Sequence, residues 1–275
     1  MDLEALRREM EALGPWHHGV EVAPGLNTST YRSSGEKHKV FVEHYSPDLM
    51  MRQVLGDLFP KGLEGRSFLD CACNSGGHSV TAAKMGSGRT FGFDARQLWV
   101  DQGNFLARAM QLPNVTFDCF ELKDLPSAQK EPFDITLFSG IFYHLPDPVA
   151  GLRVAADLTK ELLILNTSVL PRRGKALTLN FESDRHVLSG VDTLAWLPSG
   201  PAVLQDILAW CGFPHTRIDS YWSQKGTAGW KRIQILAARH PEVFDQYDRK
   251  KPWAKKPPNL IHRVGNRIHR ALNRS

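Results

Sequence analysis

The chain has 275 residues, of which 42% are hydrophobic and 23% are charged, and its formal net charge is +5. These values are typical of a globular protein with a sizeable core, and they exclude collagen-like, low-complexity and disulfide-dense chains. No apolar run approaches the length of a membrane span, and the charged, helix-forming start is unlike a secretory signal.

The first 60 residues predict a helical and lid segment. Residues 3–13 and 40–59 are predicted helices, the second with a break near Pro47. The polar loop between them, rich in Gly and Ser, is long enough to cover a neighbouring cleft. In this loop His17 is a candidate substrate-side residue, and if the lid closes His17 and His18 are candidates, after His144, for a general base. The alternative is a pair of histidines exposed to water.

A strand, a tight turn, a helix and a second strand follow at residues 67–94. Asp70 lies at the end of the first strand, and Asp94 closes the second strand 24 positions later, which is the length of one βαβ crossover. Small residues in the turn let a ligand approach the backbone, and a carboxylate can accept hydrogen bonds from two ribose hydroxyls. The pattern predicts nucleoside binding. Because Ala72 takes the first glycine position of G-x-G-x-x-G, a pyrophosphate is disfavoured.

Two further strands are predicted at residues 115–120 and 135–138. Glu121 follows the first of them, and the second opens into Ser139, Tyr143 and His144. In open α/β sheets ligands bind outside the carboxyl ends of the strands. We therefore expect four residues to line one cleft: Asp70, Asp94, Glu121 and Tyr143. Taken singly, each is also explained as a helix cap or a polar loop residue.

An insertion is predicted at residues 170–201, and it carries Trp196. This tryptophan is interpreted either as an aromatic wall for the acceptor or as a packing residue. Residues 201–211 predict a helix, and residues 217–221 and 233–237 predict a final pair of antiparallel strands.

The positive charge is concentrated at the end of the chain. Residues 249–275 contain nine Lys or Arg and no acid, so the rest of the chain carries −4. Residues 249–259 predict an extended linker, and residues 260–274 have the period of a basic amphipathic helix. Such a tail predicts binding to an anionic membrane surface or to a polyanion such as RNA. The alternative is a terminal helix packed on the protein itself, or a frayed tail that aids solubility.

The four cysteines show neither paired C-x-x-C spacing nor a disulfide framework. Because the histidines are scattered, the sequence predicts no metal site. Because the cysteines show no disulfide framework, we expect a protein of the reducing cytoplasm. If the tail binds lipid, the protein would be peripheral to the membrane.

In order and spacing, these motifs resemble class I S-adenosylmethionine-dependent methyltransferases. The resemblance is strongest to the group typified by the bacterial tRNA wobble-uridine (5-oxyacetic acid pathway) methyl or carboxymethyl transferase. It is carried by the sequence segments PWHHGVEV, DCACNSGG, GIFYHLPDP and FESDRHVLSGVDTLAWLPSG. The resemblance covers about Trp16 to Arg239. It implies an α/β fold with a Rossmann-like sheet, mostly parallel with a C-terminal antiparallel strand, and helices on both faces. The pattern along the chain divides it into an N-terminal helical and lid segment at residues 1–60, a methyltransferase domain at 61–240, and a basic linker with an amphipathic tail at 241–275.

The resemblance implies S-adenosylmethionine as cofactor and S-adenosylhomocysteine as product. Its binding residues carry over in four groups: Asp70, Ala72, Asn74 and Gly76 for the methionine portion; Asp94, with Ala95, for the ribose; Glu121 and Leu122 for the adenine; Ser139 and Tyr143 toward the sulfonium end. Ala72 departs from the usual glycine. The tRNA enzyme of this group uses a carboxylated cofactor, and no motif in this chain fixes that choice.

We predict O-methylation of a small molecule or saccharide. A hydroxyl acceptor must lose a proton, and His144, beside Tyr143, is the first candidate for the base. The alternative is that His144 caps the following helix or bonds to the backbone. A tRNA wobble-uridine transferase is the nearest rival, although a body charge of −4 disfavours it unless the tail holds the RNA. A second rival is a non-catalytic cofactor-binding adaptor, toward which Ala72 points.

Overall fold

The computed structural model describes residues 2–30, 47–182, 188–223 and 229–252. The chain divides into two compact units, residues 1–128 and 129–275. The predicted tail helix, residues 31–38 of the predicted lid and the first part of the helix predicted from residue 40 lie outside the described residues.

The helices, in chain order, are α1 (Leu3–Ala12), α2 (Pro47–Leu58), α3 (Gly77–Lys84), α4 (Gln97–Ala109), α5 (Leu125–Ala128), α6 (Pro148–Asp157), α7 (Pro201–Trp210) and α8 (Asp245–Lys250). The strands are β1 (Glu21–Ala23), β2 (Leu26–Asn27), β3 (Ser67–Cys71), β4 (Arg89–Asp94), β5 (Val115–Cys119), β6 (Phe133–Ser139), β7 (Thr159–Val169), β8 (Leu177–Phe181), β9 (Leu194–Pro198), β10 (His215–Ser223) and β11 (Lys231–Ala238).

Seven strands form a sheet in the order β10-β11-β7-β6-β3-β4-β5. The pairs β3–β4, β4–β5 and β6–β7 are parallel, whereas β11 is antiparallel to both β7 and β10. This arrangement confirms the expected Rossmann-like sheet, mostly parallel with antiparallel strands at its C-terminal end. The strands β1 and β2, and likewise β8 and β9, form separate two-stranded ribbons.

The burial of β3 explains its sequence. All five of its residues are buried, which is typical of a parallel strand covered on both faces and requires a nearly continuous apolar run. Asp70 interrupts that run. It lies one residue before the last residue of β3, at the end of the strand as the sequence indicated.

The described part of the predicted lid is a packed element of the first unit. Trp16 is 2% exposed, its Nε1 donates to the carbonyl of Met10 at 2.8 Å, and its ring meets Phe105 edge-on at 5.8 Å. Val20 and Leu26 join the same apolar cluster. Residues 16–30 therefore do not form a free loop, because their alternating apolar residues are buried despite the polar composition around them.

The start of the predicted linker is folded. Tyr247, on α8, is fully buried and donates to Asp219 at 2.7 Å, and the Nζ of Lys251 lies 3.1 Å from the same carboxylate. Arg217 holds Asp248 with two hydrogen bonds of 2.7 and 2.8 Å. The prediction of an extended segment from residue 249 is thus wrong for its first residues, since the folded part reaches Lys251.

Candidate active site

In the first unit, the turn after β3 is built from left-handed backbone. Ala72 and Asn74 have φ values of 53° and 50°, and Gly76 has a φ of 78°. A left-handed conformation costs an L-residue roughly 1–2 kcal/mol, whereas glycine adopts it freely. This explains why the resembling family favours glycine where this chain has Ala72.

Asp94 joins the end of β4 to this turn. Its Oδ2 accepts from the backbone N–H of Asn74 at 3.1 Å, and its Oδ1 accepts from that of Arg96 at 3.0 Å. The side chain is buried, and burial raises the pKa of Asp94 against the lowering effect of these amides. A carboxylate offers about four lone-pair sites, so two backbone bonds leave acceptor capacity for a diol. The structural and ligand-binding interpretations of Asp94 are therefore compatible.

Asp70 is almost completely enclosed. It is 1% exposed, and its Oδ2 accepts a hydrogen bond from the hydroxyl of Ser79 at 2.7 Å. Burial raises the pKa of Asp70 to about 7, more than the Ser79 hydrogen bonds lower it, and the charge of Asp94 adds to the rise. A cation placed nearby would favour the ionised carboxylate.

His18 contacts the same turn, so the alternative of two water-exposed histidines is wrong for this residue. It is 4% exposed, its backbone N–H donates to the Ser75 hydroxyl, and its Nδ1 accepts from the Gly77 N–H, both at 3.2 Å. That N–H belongs to the first turn of α3, where backbone donors lack helical partners. His17 is half-buried, and its ring lies 5.2 Å from the His18 ring.

Burial also fixes the charge of the two enclosed histidines. It lowers the pKa of His18 well below the usual value, and it lowers the pKa of His78 to about 3. Their rings lie 5.0 Å apart, so a charge on His78 would also lower the pKa of His18. Both are neutral near pH 7, which matches the acceptor role of the His18 Nδ1.

The residues predicted to contact the adenine lie just past β5. Glu121 is exposed and forms an ion pair with the Nζ of Lys123 at 2.7 Å, whereas Leu122 is 7% exposed. Phe120, which the sequence analysis did not single out, stacks on Phe93 with ring centres 4.6 Å apart. Its only signal in the sequence is an aromatic residue at a strand end. Ala95, beside Asp94, is exposed.

In the second unit, the turn after β6 carries Tyr143 and His144. β6 ends at Ser139, and the N–H of Gly140, with a φ of 78°, donates to the carbonyl of Asn166 at 2.8 Å. The following 3₁₀ turn brings the rings of Tyr143 and His144 to 3.9 Å between centres. The structure thus places the two predicted catalytic residues side by side.

His144 has a carboxylate partner that the sequence analysis missed. Its Nδ1 lies 2.6 Å from Oε2 of Glu182, and the two side chains are 16% and 13% exposed. The alternative that His144 caps the next helix is wrong, because Asp147 caps α6 by accepting from the N–H of Ala150 at 3.0 Å. Glu182 is 38 positions from His144, so only the fold brings them together.

Arg232, at the start of β11, was also missed. Its Nε donates to Oδ1 of Asn166 at 2.5 Å, and its Nη1 lies 3.3 Å from the Tyr143 hydroxyl and 3.4 Å from that of Ser168. Within the described part of the chain, the hydrogen-bond partners found for this guanidinium are uncharged. A positive charge held by neutral groups is suited to binding an anion.

Trp196, on β9, is half-buried, and its Nε1 donates to the carbonyl of Pro146 at 3.0 Å. It lies opposite Leu179 of β8, which is 43% exposed. The indole is therefore fixed beside the turn after β6. This position is consistent both with a packing residue and with an aromatic wall for the acceptor.

Across residues 2–30, 47–182, 188–223 and 229–252, three or more His, Cys, Asp or Glu are nowhere arranged to hold a metal ion. Among the helices of these same ranges, none has the length and apolar character needed to cross a membrane.

The chain is similar to known proteins in sequence and in fold. Residues 63–219 match the family model described as a methyltransferase domain. A tRNA U34 carboxymethyltransferase from Pseudomonas fluorescens (strain Pf-5) is 28% identical over 246 residues, which cover 84% of this chain and 68% of that protein.

Among solved structures, the N-terminal domain of EvdMO1 with S-adenosylhomocysteine bound is similar, with a TM-score of 0.71 and 19% identity. The match covers 87% of this chain and 98% of that one. The same domain in the presence of S-adenosylhomocysteine and D-fucose matches with a TM-score of 0.69. At this level of identity, the likeness establishes the fold.

Proposed function

Because the chain belongs to the family of methyltransferase domains, with S-adenosylmethionine as its methyl donor, we propose that it methylates an oxygen of a small molecule or saccharide. The observation that carries the proposal is His144, whose ring lies 3.9 Å from that of Tyr143 after β6. An imidazole can take the proton that a hydroxyl acceptor loses.

The first unit offers groups suited to a nucleoside cofactor. We propose that Asp94 accepts hydrogen bonds from the ribose hydroxyls and that the left-handed turn at Ala72, Asn74 and Gly76 receives the methionine portion. Asp70, ionised by a neighbouring cation, would favour the positively charged end. When bound, the cofactor supplies an electrophilic methyl carbon. The remaining predicted cofactor contacts stay predictions: Ala95, Glu121, Leu122, Ser139 and Tyr143.

Charge and aromatic residues support a small acceptor. The chain before residue 249 has a formal charge of −4, which disfavours a folded polyanion on its surface. The indole of Trp196 offers an apolar face of the kind on which sugar rings pack. The likeness to a domain studied in the presence of D-fucose points to the same class of acceptor. The chain's own task is then to hold that acceptor about 3–3.5 Å from the methyl carbon.

Calorimetry and a product assay test the proposal. We expect S-adenosylmethionine and S-adenosylhomocysteine to bind, and NADH, as the control nucleotide, not to bind. Formation of S-adenosylhomocysteine is then measured with D-fucose, other monosaccharides and simple phenols. Turnover with a hydroxylated compound supports the proposal. Cofactor binding without turnover on any acceptor would support the adaptor alternative.

Carboxymethyl transfer to tRNA is the second candidate, favoured by Arg232 and by the name of the similar Pseudomonas protein. The guanidinium of Arg232, held by uncharged groups next to the Tyr143 hydroxyl, is suited to the carboxylate of a carboxylated cofactor. Calorimetry with both cofactors decides between the candidates. Stronger binding of the carboxylated form, lost in Arg232→Gln, supports carboxymethyl transfer, whereas a preference for S-adenosylmethionine supports methyl transfer.

A further inference from the structure

We infer that Glu182 is a positioning residue that holds His144 in the form required of a general base, and that the acceptor group is a neutral hydroxyl. The inference rests on the proposed function and deepens it. It starts from the 2.6 Å separation between His144 Nδ1 and Glu182 Oε2.

The carboxylate is itself held in place. Oε2 of Glu182 also accepts the backbone N–H of Gly190 at 2.9 Å, and the backbone N–H of Glu182 donates to the carbonyl of Thr193 at 2.8 Å. A carboxylate oxygen can only accept, so the proton of a neutral His144 lies on Nδ1. The lone pair is then on Nε2, which is the nitrogen left to take a proton.

The backbone next to the His144–Glu182 pair leaves His144 little room to move. A Cβ at Gly190 would lie 2.8 Å from the carbonyl oxygen of His144 and 2.9 Å from its Cβ, so a side chain at position 190 would displace the histidine. Glu182 directly follows β8, whose Phe181 pairs with Leu194 of β9. The ribbon formed by the predicted insertion therefore delivers Glu182 to the turn after β6.

The charges around His144 favour a hydroxyl over an acidic acceptor. Among described residues, the titratable groups found in contact with it are Glu182 and Tyr143, and Arg232 lies behind the Tyr143 hydroxyl. A carboxylate or phosphate acceptor is already ionised near pH 7 and needs no base. A hydroxyl needs one, and the carboxylate of Glu182 stabilises the imidazolium that results.

In the proposed step, the acceptor hydroxyl loses its proton to His144 and its oxygen takes the methyl group. The acceptor O–H bond breaks and its proton goes to Nε2 of His144. The oxygen forms a bond to the methyl carbon with its electron pair, while the pair of the broken C–S bond stays on sulfur. Glu182 remains ionised and keeps its hydrogen bond to Nδ1.

Nitrogen NMR on histidine-labelled protein tests the positioning role without any acceptor. Using His144→Gln to assign the signals, we expect the neutral His144 ring of the wild type to carry its proton on Nδ1 and none on Nε2. Glu182→Leu should move the ring toward the Nε2–H form, whereas Glu242→Gln, at an exposed glutamate, should not. The same nitrogen signals in Glu182→Leu as in the wild type would overturn the inference.

Kinetics provides a second test, with D-fucose as the first acceptor probe. The variant used is Glu182→Gln, which also replaces Glu182→Leu in the NMR test if the leucine variant does not fold. We expect Glu182→Gln to lower kcat about 100-fold, the lower range for general-base catalysis, with unchanged KM and unchanged calorimetric affinity for S-adenosylhomocysteine. In a His144→Ala background the same change should have no further effect. Equal losses in both backgrounds would show that Glu182 acts only on the structure. Absence of turnover in the wild type with every hydroxyl acceptor would defeat the proposed function, while the NMR result would still decide the role of Glu182.

Discussion

At the scale of single residues, burial determines the charge of the candidate cofactor site. Burial is the largest cause of the raised pKa values of Asp70 and Asp94 and of the lowered pKa values of His18 and His78. In each case the uncharged form is favoured, because a low-dielectric surrounding opposes charge. At the turn where a positively charged cofactor is proposed to bind, burial therefore shifts the ionisation of these four groups toward their uncharged forms.

Asp94→Ala should weaken the binding of S-adenosylhomocysteine at least tenfold, because the proposed acceptor for the ribose hydroxyls is lost. Calorimetry measures the affinity. The change also removes the bonds to the Asn74 and Arg96 amides, so denaturation must show that the variant is folded under the conditions used. Asp118→Ala, at an exposed position on β5, is the matched control. Undiminished affinity in the folded Asp94 variant would refute the ribose assignment.

Asp70→Asn should make the free energy of unfolding rise more steeply with pH. The folded pKa of Asp70, about 7, exceeds the ordinary value of 3.8, so the folded state binds more protons between these values and Asp70 lowers stability as pH rises. His18 and His78, with lowered folded pKa values, act in the opposite sense: their contribution is complete above about pH 6.5 and is lost as pH falls.

Urea denaturation at about pH 5 and about pH 7.5 checks this prediction. With asparagine at position 70 only the histidine effect and that of Asp94 remain, so the variant should gain stability relative to the wild type at the higher pH. Asp118→Asn serves as the control. If the free energies of unfolding of the Asp70 variant and the wild type changed with pH in parallel, burial would not govern the ionisation of Asp70.

At the scale of elements, the spacing between α3, α4 and the strands depends on one aromatic ring. Three glycines surround the ring of Phe117 on β5, and a Cβ added at Gly76, Gly92 or Gly103 would approach it to 2.6, 2.7 or 2.9 Å. Real Cβ atoms do not come this close, so glycine is required for packing at these positions. The glycines of the cofactor turn were interpreted from the sequence only as room for a ligand.

Gly76→Ala should lower the free energy of unfolding by about 2–4 kcal/mol, since it combines a left-handed φ with a clash against Phe117. Gly65→Ala is a matched control. Gly65 has a φ of 76°, close to the 78° of Gly76, but no atom within 4 Å of the added Cβ, so its loss should be only about 1–2 kcal/mol. Chemical denaturation measures both. Equal losses would mean that the ring moves aside without a penalty.

At the scale of the whole molecule, the first residues of the segment that the sequence analysis treated as a basic tail belong to the folded protein. The folded part of the second unit extends to Lys251, whose ion pair with Asp219 is largely buried. Six basic residues follow residue 252: Lys255, Lys256, Arg263, Arg267, Arg270 and Arg274. These are the side chains on which the predicted binding to an anionic surface depends.

Removal of residues 253–275 should leave the free energy of unfolding unchanged and weaken binding to vesicles containing phosphatidylglycerol. Each Lys or Arg near such a surface contributes about 1 kcal/mol at low salt, so the effect should diminish as salt is added. Sedimentation with vesicles measures it, and tRNA in place of vesicles tests the polyanion alternative. Equal retention of the shortened chain on both would remove the proposed role of the tail.

A longer truncation, removing residues 245–275, is the contrasting variant. It also deletes Tyr247, which is fully buried, and Asp248, which is bound by two hydrogen bonds to Arg217. Deleting Asp248 leaves the partly buried Arg217 without its carboxylate partner, so this variant should be clearly destabilised.

The sequence by itself determined most strands of the seven-stranded sheet, the fold class and the methyltransferase family. Apolar runs, glycine turns and acids at strand ends are local patterns, and local backbone chemistry largely fixes them. Asp70, Asp94, Tyr143 and His144 were predicted in this way, although their joining in one cleft remains a prediction.

Only the tertiary structure decided which side chains meet. Glu182 and His144 are 38 positions apart, Arg232 and Tyr143 are 89 apart, and His18 and Gly77 are 59 apart. No periodicity in the sequence relates such positions, because hydrogen bonds over these separations exist only after the strands and loops have packed. Burial is likewise a property of the fold, and for that reason the neutral state of His18 and the raised pKa of Asp70 could not be predicted from residue types.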